Sequence, residues 1–155
     1  MKKNKKICFI ASSGGHLEEI CQLKKVIDMY DNYFVVTDTL ATKKSSKYKY
    51  RISDFDRTNK IRFLIHFISM FLEQMKIFVK EKPDIIITTG AGLVIPTCLI
   101  AKILKKKIIY IESFARVSTP SKTGKFIYKI CDLFIIQRED LKQFYPKAIN
   151  GGEIF

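Results

Sequence analysis

Ile7-Cys8-Phe9-Ile10-Ala11-Ser12-Ser13-Gly14-Gly15-His16-Leu17-Glu18-Glu19-Ile20-Cys21-Gln22-Leu23 is the stretch that decides the fold. Its first five residues form an apolar, strand-like run, two glycines break it, and the apolar residues then return at helical spacing. A strand, a glycine turn and a helix start together make an anion cradle. Glycine lets the backbone approach a phosphate closely, and the helix start offers unpaired N–H groups and partial positive charge. The stretch predicts a phosphate-bearing ligand and leaves open what is done to it. An ordinary strand-to-helix turn would use the same residues.

Working outward, apolar β-type runs recur at Tyr33–Thr37, Ile85–Thr88, Ile108–Ile111 and Leu133–Ile136, with a weaker one around Tyr50–Phe55. Helical patterns separate them at Leu17–Met29, Lys60–Lys80, Leu93–Leu104 and Lys122–Ile130. Strands alternating with helices predict a doubly wound α/β domain with a parallel sheet, and Ile85-Ile86-Ile87 suits a strand buried on both faces. The 155 residues contain no repeat, linker or low-complexity tract and read as one domain over residues 1–155. Ligands bind such sheets at the carboxyl ends of the strands. Three turns fall at that edge: Ser12–His16, Thr88–Gly92 and Glu112–Arg116.

The formal net charge is +13, with short lysine runs recurring along the whole sequence. Such a balance favours nucleic acid, an anionic membrane surface or phosphorylated substrates, or simply solubilises the surface. Nucleic acid is the weakest of these, because the lysines are dispersed and no zinc-finger, helix-turn-helix or RNP pattern accompanies them. Cys8, Cys21, Cys98 and Cys131 stand far apart in apolar contexts, without metal or redox spacing, and read as buried reduced thiols of a cytosolic protein. The basic, then apolar, N-terminus lacks the length and cleavage site of a signal peptide.

In Ile61–Val79 the polar residues Arg62, His66, Ser69, Glu73 and Lys76 fall three or four apart and form one narrow stripe. Nearly everything else there is apolar, including Phe63, Phe67, Phe71 and Phe78. Packing on a sheet uses an apolar arc of only about 100°. The excess predicts contact with lipid or a partner, although burial by sheet and loops would also absorb it. A central charge costs roughly 2.5–3.5 kcal/mol on insertion, which disfavours a span. Rest on an anionic membrane surface through Phe63, Phe67 and Phe71 is the favoured expectation. His66, on the polar stripe, reads as solvated.

Taken in order, Ser12-Ser13-Gly14-Gly15-His16, Pro83-Asp84-Ile85-Ile86-Ile87-Thr88-Thr89-Gly90-Ala91-Gly92 and Ile109-Tyr110-Ile111-Glu112-Ser113-Phe114-Ala115-Arg116 carry a specific resemblance. Over almost its whole length the chain resembles small oligosaccharide-biosynthesis subunits. These are related to the membrane-anchoring half of the UDP-N-acetylglucosamine transferase of asparagine-linked glycosylation, with PssD-like capsule and exopolysaccharide proteins the nearest in kind. The layout is also similar to the N-terminal half of the lipid II transferase MurG. The resemblance implies a Rossmann-like domain equivalent to the N-terminal, acceptor-side half of a GT-B glycosyltransferase. It also implies that a separate chain holds the UDP-sugar donor, that no metal or other cofactor is required, and that a polyprenyl-pyrophosphate-linked saccharide is the acceptor at the cytoplasmic face of the membrane. Eukaryotic members carry an N-terminal membrane-spanning segment that this sequence does not show, so peripheral attachment takes its place.

On that resemblance Ser13, Gly14 and Gly15 receive the pyrophosphate. Thr89, Gly90 and Gly92 form a second loop at the same edge, without a full glycine fingerprint. His16, at a helix start that favours neutral imidazole, is either a base for the acceptor hydroxyl, a phosphate ligand or a packing residue. Glu112, just after a buried strand, orients the sugar hydroxyl, acts as base, or caps the next segment. Arg116 pairs with pyrophosphate or with Glu112. The chain is expected to be active only with its partner.

Two other readings stand beside this one. Asp38, at the end of the second strand, sits where a ribose-binding acid of a dinucleotide-dependent oxidoreductase would, but the G-x-G-x-x-G spacing is missing. A non-catalytic recruiter of the transferase subunit would need no reacting group. Asp54-Phe55-Asp56 has the spacing of a metal-binding pair, yet Arg57 follows at once and the architecture is of the other glycosyltransferase type, so no metal site is assigned.

Overall fold

The computed structural model describes residues 3–53 and 59–154. The elements in chain order are β1 (Lys3–Ala11), α1 (Gly15–Cys21), α2 (Lys24–Met29), β2 (Tyr30–Thr37), α3 (Leu40–Lys43), β3 (Tyr50–Ile52), α4 (Lys60–Glu81), β4 (Ile85–Thr88), α5 (Val94–Ile103), β5 (Lys107–Ile111), α6 (Lys122–Ile127), β6 (Leu133–Ile136) and β7 (Ile149–Asn150). A 3₁₀ turn at Glu139–Gln143 leads from β6 to β7. The strands form one sheet in the order β3-β2-β1-β4-β5-β6-β7. Every paired neighbour is parallel. The order reverses between β1 and β4, which opens a crevice at the carboxyl ends of those two strands.

Period-two alternation sends the side chains of each strand to two cores. Cys8, Ile10, Val35, Ile86, Ile108 and Tyr110 face the helices α4, α5 and α6. Ile7, Phe9, Phe34, Val36 and Ile87 face α1 and α2, where Leu17 and Ile20 meet them. The five apolar runs and the weaker one all become strands, so the doubly wound Rossmann-like reading holds. The weaker run pairs only over Tyr50–Ile52, and Asp54, Phe55 and Asp56 lie outside the described residues.

One predicted helix is two. Leu17–Met29 breaks at Gln22 and Leu23, whose N–H groups bond three residues back, to Glu19 and Ile20. The chain re-aims there, so Val26 and Ile27 of α2 still pack on the sheet face that α1 covers. The apolar spacing survives the break, which is why periodicity reads it as continuous. The Asn32 side-chain amide donates to the carbonyls of Ile27 and Tyr30 at 2.6 and 2.9 Å and fixes the passage from α2 into β2.

Helix α4 divides into two environments. In its second half Met70 and Phe78 are buried, and the buried Gln74 amide donates to the Leu93 carbonyl at 2.9 Å and accepts from the Thr97 N–H at 2.8 Å. Glu81 closes the helix against Lys6 and Lys49 at 2.6 and 2.9 Å, and accepts from the Tyr50 hydroxyl. The first half stands clear of the sheet, with Ile61, Leu64 and Ile65 exposed by 71, 57 and 60%. Of the three phenylalanines expected at the membrane, Phe63 is exposed, Phe67 is half-buried and Phe71 packs partly against the core. His66 is exposed, as its stripe suggests. Because α4 runs from the carboxyl end of β3 back to the start of β4, its exposed half lies at the carboxyl edge of the sheet.

Candidate functional site

The first loop leaves β1 at Ala11. Gly14 adopts φ 93°, a left-handed conformation costly for a side chain, and its carbonyl accepts the N–H groups of Leu17 and Glu18 to start α1. No side chain caps this helix start. The Ser13 N–H reaches the Thr37 hydroxyl at 3.3 Å, which ties the loop to β2. Ser13 and Gly14 line a hollow of about 390 Å³ between α1 and α3, with Leu17, Glu18, Thr42 and Tyr48 on its walls.

The second loop follows β4. Thr89 is fully buried, and its hydroxyl donates to the His16 carbonyl at 2.9 Å, so it holds the two loops together from beneath. Gly90 has φ 121°, and a Cβ there would lie 2.7 Å from the Tyr110 hydroxyl and 3.4 Å from His16 Cε1. The lack of a side chain lets His16 sit down on the β4 loop. Ala91 also takes a positive φ, 76°, a strained setting for alanine that keeps the loop turned over the strand end.

The third loop follows β5, and its carboxylate points inward. Glu112 is fully buried; its Oε2 accepts the Tyr145 hydroxyl at 2.8 Å and the Ser121 hydroxyl at 3.2 Å. Ser121 caps α6 by accepting the Gly124 N–H at 2.8 Å. A Cβ at Gly124 would stand only 2.3 Å from Glu112 Oε2, so this glycine gives the carboxylate its room. Burial, joined by the charge of Glu112, pushes the Tyr145 phenol well above its ordinary pKa. Tyr145 therefore remains a donor that keeps the carboxylate in place. Of the alternatives the sequence left open for Glu112, this geometry is that of a cap and anchor for α6.

A cleft of about 600 Å³ opens between these loops, lined by His16, Gly92, Ser113, Arg116, Ser121 and Lys122 among others. The structure thus brings His16, Gly92 and Arg116 together at one surface. It places Ser13 and Gly14 on the opposite flank of α1, and Thr89, Gly90 and Glu112 beneath the surface. Gly15 is exposed at the start of α1. Arg116 is exposed, free to reach an anion in the cleft, and Lys122 adds a second cation. Asp38 pairs with Lys43 at 3.2 Å. Among the described residues no group of three or more His, Cys, Asp or Glu is placed to hold a metal ion.

One residue at the site escaped the sequence reading. Glu19 Oε1 accepts the Ser113 hydroxyl at 2.7 Å and the Phe114 N–H at 3.0 Å, joining α1 to the β5 loop. In the sequence it is one of two adjacent helix acids, and only its place one turn after His16 sets it apart. Arg138, two residues past β6 and just before the 3₁₀ turn, stacks its guanidinium 4.5 Å above the Phe114 ring and stiffens the same loop from outside.

A family described as "Oligosaccharide biosynthesis protein Alg14 like" matches residues 7–154. The UDP-N-acetylglucosamine transferase subunit ALG14 of Homo sapiens is 30% identical over 178 residues, covering 96% of this chain and 82% of that protein. Its Mus musculus counterpart is 28% identical, covering 99% and 84%. Among solved structures, MurG of Acinetobacter baumannii superposes with a TM-score of 0.72 at 16% identity, over 88% of this chain and 42% of that one. A UDP-N-acetylglucosamine 2-epimerase from Rickettsia bellii gives a TM-score of 0.73 at 17% identity, over 92% and 41%. The chain therefore spans about two fifths of these GT-B-type enzymes, and at such identities the likeness speaks for the fold alone. The extent of the family match and the human relative decide the rest: this chain belongs to the Alg14-like family of oligosaccharide biosynthesis proteins.

Proposed function

We propose that this chain is the acceptor-binding, membrane-associated subunit of a two-chain inverting glycosyltransferase. The enzyme transfers a hexose or N-acetylhexosamine from a UDP-sugar to a polyprenyl-pyrophosphate-linked saccharide in capsule or exopolysaccharide synthesis, at the cytoplasmic face of the cell membrane. The observation that carries this reading is the cleft at the carboxyl edge of the sheet, where His16 meets Arg116 and Lys122. An imidazole beside two cations suits a hydroxyl nucleophile on a diphosphate carrier. Relatives named as subunits of a UDP-N-acetylglucosamine transferase support a separate chain for the donor.

In this reading Arg116 and Lys122 meet the pyrophosphate. With α1 only seven residues long, the charge of these side chains outweighs the contribution of its dipole. His16 takes the proton of the acceptor hydroxyl. Glu112 acts at one remove, by seating α6 and Ser121 at the cleft wall. Most of the rate comes from positioning and from charge stabilisation.

The exposed half of α4 supports the membrane side of the proposal, since Ile61, Leu64, Ile65 and Ile68 project at the same edge as the cleft. No helix among the described residues is long and apolar enough to cross a membrane. The surface charge adds attraction to anionic lipid, about 1 kcal/mol for each lysine close to it.

The test uses the full chain alone and mixed with its UDP-sugar-binding partner, on a fluorescent lipid-pyrophosphate saccharide. Transfer is expected only from the pair, and strong turnover by the single chain would refute the reading. His16→Ala in the pair separates catalysis from recruitment. A loss of kcat supports the first, and full activity supports a chain that only gathers carrier and transferase.

A further inference from the structure

Two buried polar atoms beside the cleft have no hydrogen-bond partner: Nδ1 of His16 and Oε2 of Glu19. They face one another at 3.9 Å, one helical turn apart on α1. That distance exceeds a hydrogen bond, and a buried polar atom left unmade costs about 1–3 kcal/mol. The two deficits have a common remedy. Glu19 is held from its other oxygen, because Oε1 is fixed by the Ser113 hydroxyl and the Phe114 N–H across the cleft floor. The imidazole is the freer partner, its side chain about a third exposed against 13% for Glu19. Closing the gap therefore falls to the ring and not to the anchored carboxylate.

We infer that Glu19 is a positioning residue for His16: its carboxylate takes the Nδ1–H of the imidazole and leaves a bare Nε2 for the cleft. The inference rests on the sugar-transfer reading of the cleft for its consequence, not for its geometry. With Nδ1 buried, only the far side of the ring can exchange a proton with a bound molecule. In the transfer, the acceptor hydroxyl oxygen forms a bond to the anomeric carbon while its proton passes to His16 Nε2. The bond from that carbon to the phosphate oxygen breaks, and UDP leaves with the electron pair. The imidazolium keeps both protons, and the adjacent carboxylate offsets its charge until Nε2 returns its proton to water. Ser113 and Phe114 belong to this arrangement as the anchor that keeps Glu19 from turning to solvent.

The chain contains two histidines, His16 and His66, and His66 is exposed on α4, so its signal serves as an internal reference. Long-range nitrogen–proton correlation spectra of ¹⁵N-histidine-labelled full chain, at a pH where both rings are neutral, read the tautomers directly. His16 is expected in the Nδ1–H form. In Glu19→Gln the amide turns its NH₂ toward Nδ1 and the ring shifts toward the Nε2–H form, with His66 unchanged. An Nε2–H ring in the parent chain overturns the inference even where the variant does not fold, as does a tautomer identical in parent and folded variant. In the reconstituted pair, Glu19→Gln is expected to lower kcat about 100-fold with KM for the carrier nearly constant. Unchanged kcat in an active pair also overturns it. If the pair transfers no sugar while the tautomer shift appears, the transferase reading fails and the His16–Glu19 pairing stands.

Discussion

Replacing Gly124 with alanine sets two effects of opposite sign against each other. Gly124 lies inside α6, where alanine is preferred by about 1 kcal/mol and local propensity predicts a gain. The new Cβ, however, would lie 2.3 Å from Glu112 Oε2 and 2.7 Å from the hydroxyl oxygens of both Ser121 and Tyr145. None of these is the loose end of a surface chain: Glu112 is fully buried and Tyr145 is 1% exposed. Forcing a methyl group into such a site costs about 1–3 kcal/mol. Pulling the carboxylate from one of its donors adds about 1–3 kcal/mol more. The clash wins, and a net loss of about 3 kcal/mol is expected. For a domain of this size that lowers Tm by roughly 6–12 °C. Urea and thermal unfolding followed by circular dichroism measure it, and a double-mutant cycle locates the cause. In a Glu112→Ala background the same change should cost clearly less, because the nearest of the three oxygens is gone and the Ser121 and Tyr145 hydroxyls can move into the space it leaves. A Gly124→Ala chain as stable as its parent, or an equal cost in both backgrounds, would refute the placement of Glu112 against α6.

Other expectations follow from single features. Gly14→Ala, at φ 93°, should lose about 1–2 kcal/mol in the same unfolding assay, whereas Gly15→Ala, with open space around the added carbon, should be neutral or slightly stabilising. Burial alone would raise the Glu81 carboxyl, yet hydrogen bonds from Lys6, Tyr50 and Lys49 outweigh it and hold the pKa at about 2, below the ordinary 4.5. A depressed value of this kind stabilises the fold above pH 4.5 and is lost as pH falls toward 2. Glu81→Gln should flatten the fall in stability over that window, and an unchanged pH profile would count against the cluster. For α4, Leu64→Glu with Ile65→Glu should reduce flotation with phosphatidylglycerol vesicles about tenfold or more while leaving the Tm within a few degrees, since both side chains are already exposed. Equal flotation by parent and variant would refute lipid contact there.

How much the sequence disclosed follows from the range of each interaction. Ile85-Ile86-Ile87 is legible as a strand because burial on both faces writes itself into consecutive residues. Ile149–Asn150 is not legible, because two residues carry no period and only β6 alongside makes them a strand. The site divides in the same way. Glycines where φ is positive announce Gly14 and Gly90 locally. The role of Glu19 depends on Ser113, 94 residues away, and no local pattern encodes it. Glu112 sits at a strand end as read, but its direction is set by Gly124 and Tyr145, which belong to later elements. Helix α4 shows an excess of apolar surface in its composition, while the division between a buried and a projecting half depends on Gln74 finding Leu93 and Thr97.

The four thiols give the molecule a built-in gauge of its own opening. Burial pushes Cys8 up to about 12 and Cys98 higher still, and neither presents its sulfur to solvent. Alkylating reagents need a thiolate within reach, so these two react only when β1 or α5 leaves the interior. Cys21 and Cys131 are partly accessible from the start. Labelling followed by peptide mass mapping would therefore time two separate events in one sample: surface reaction at the periphery, and rupture of the sheet that holds the cleft in shape.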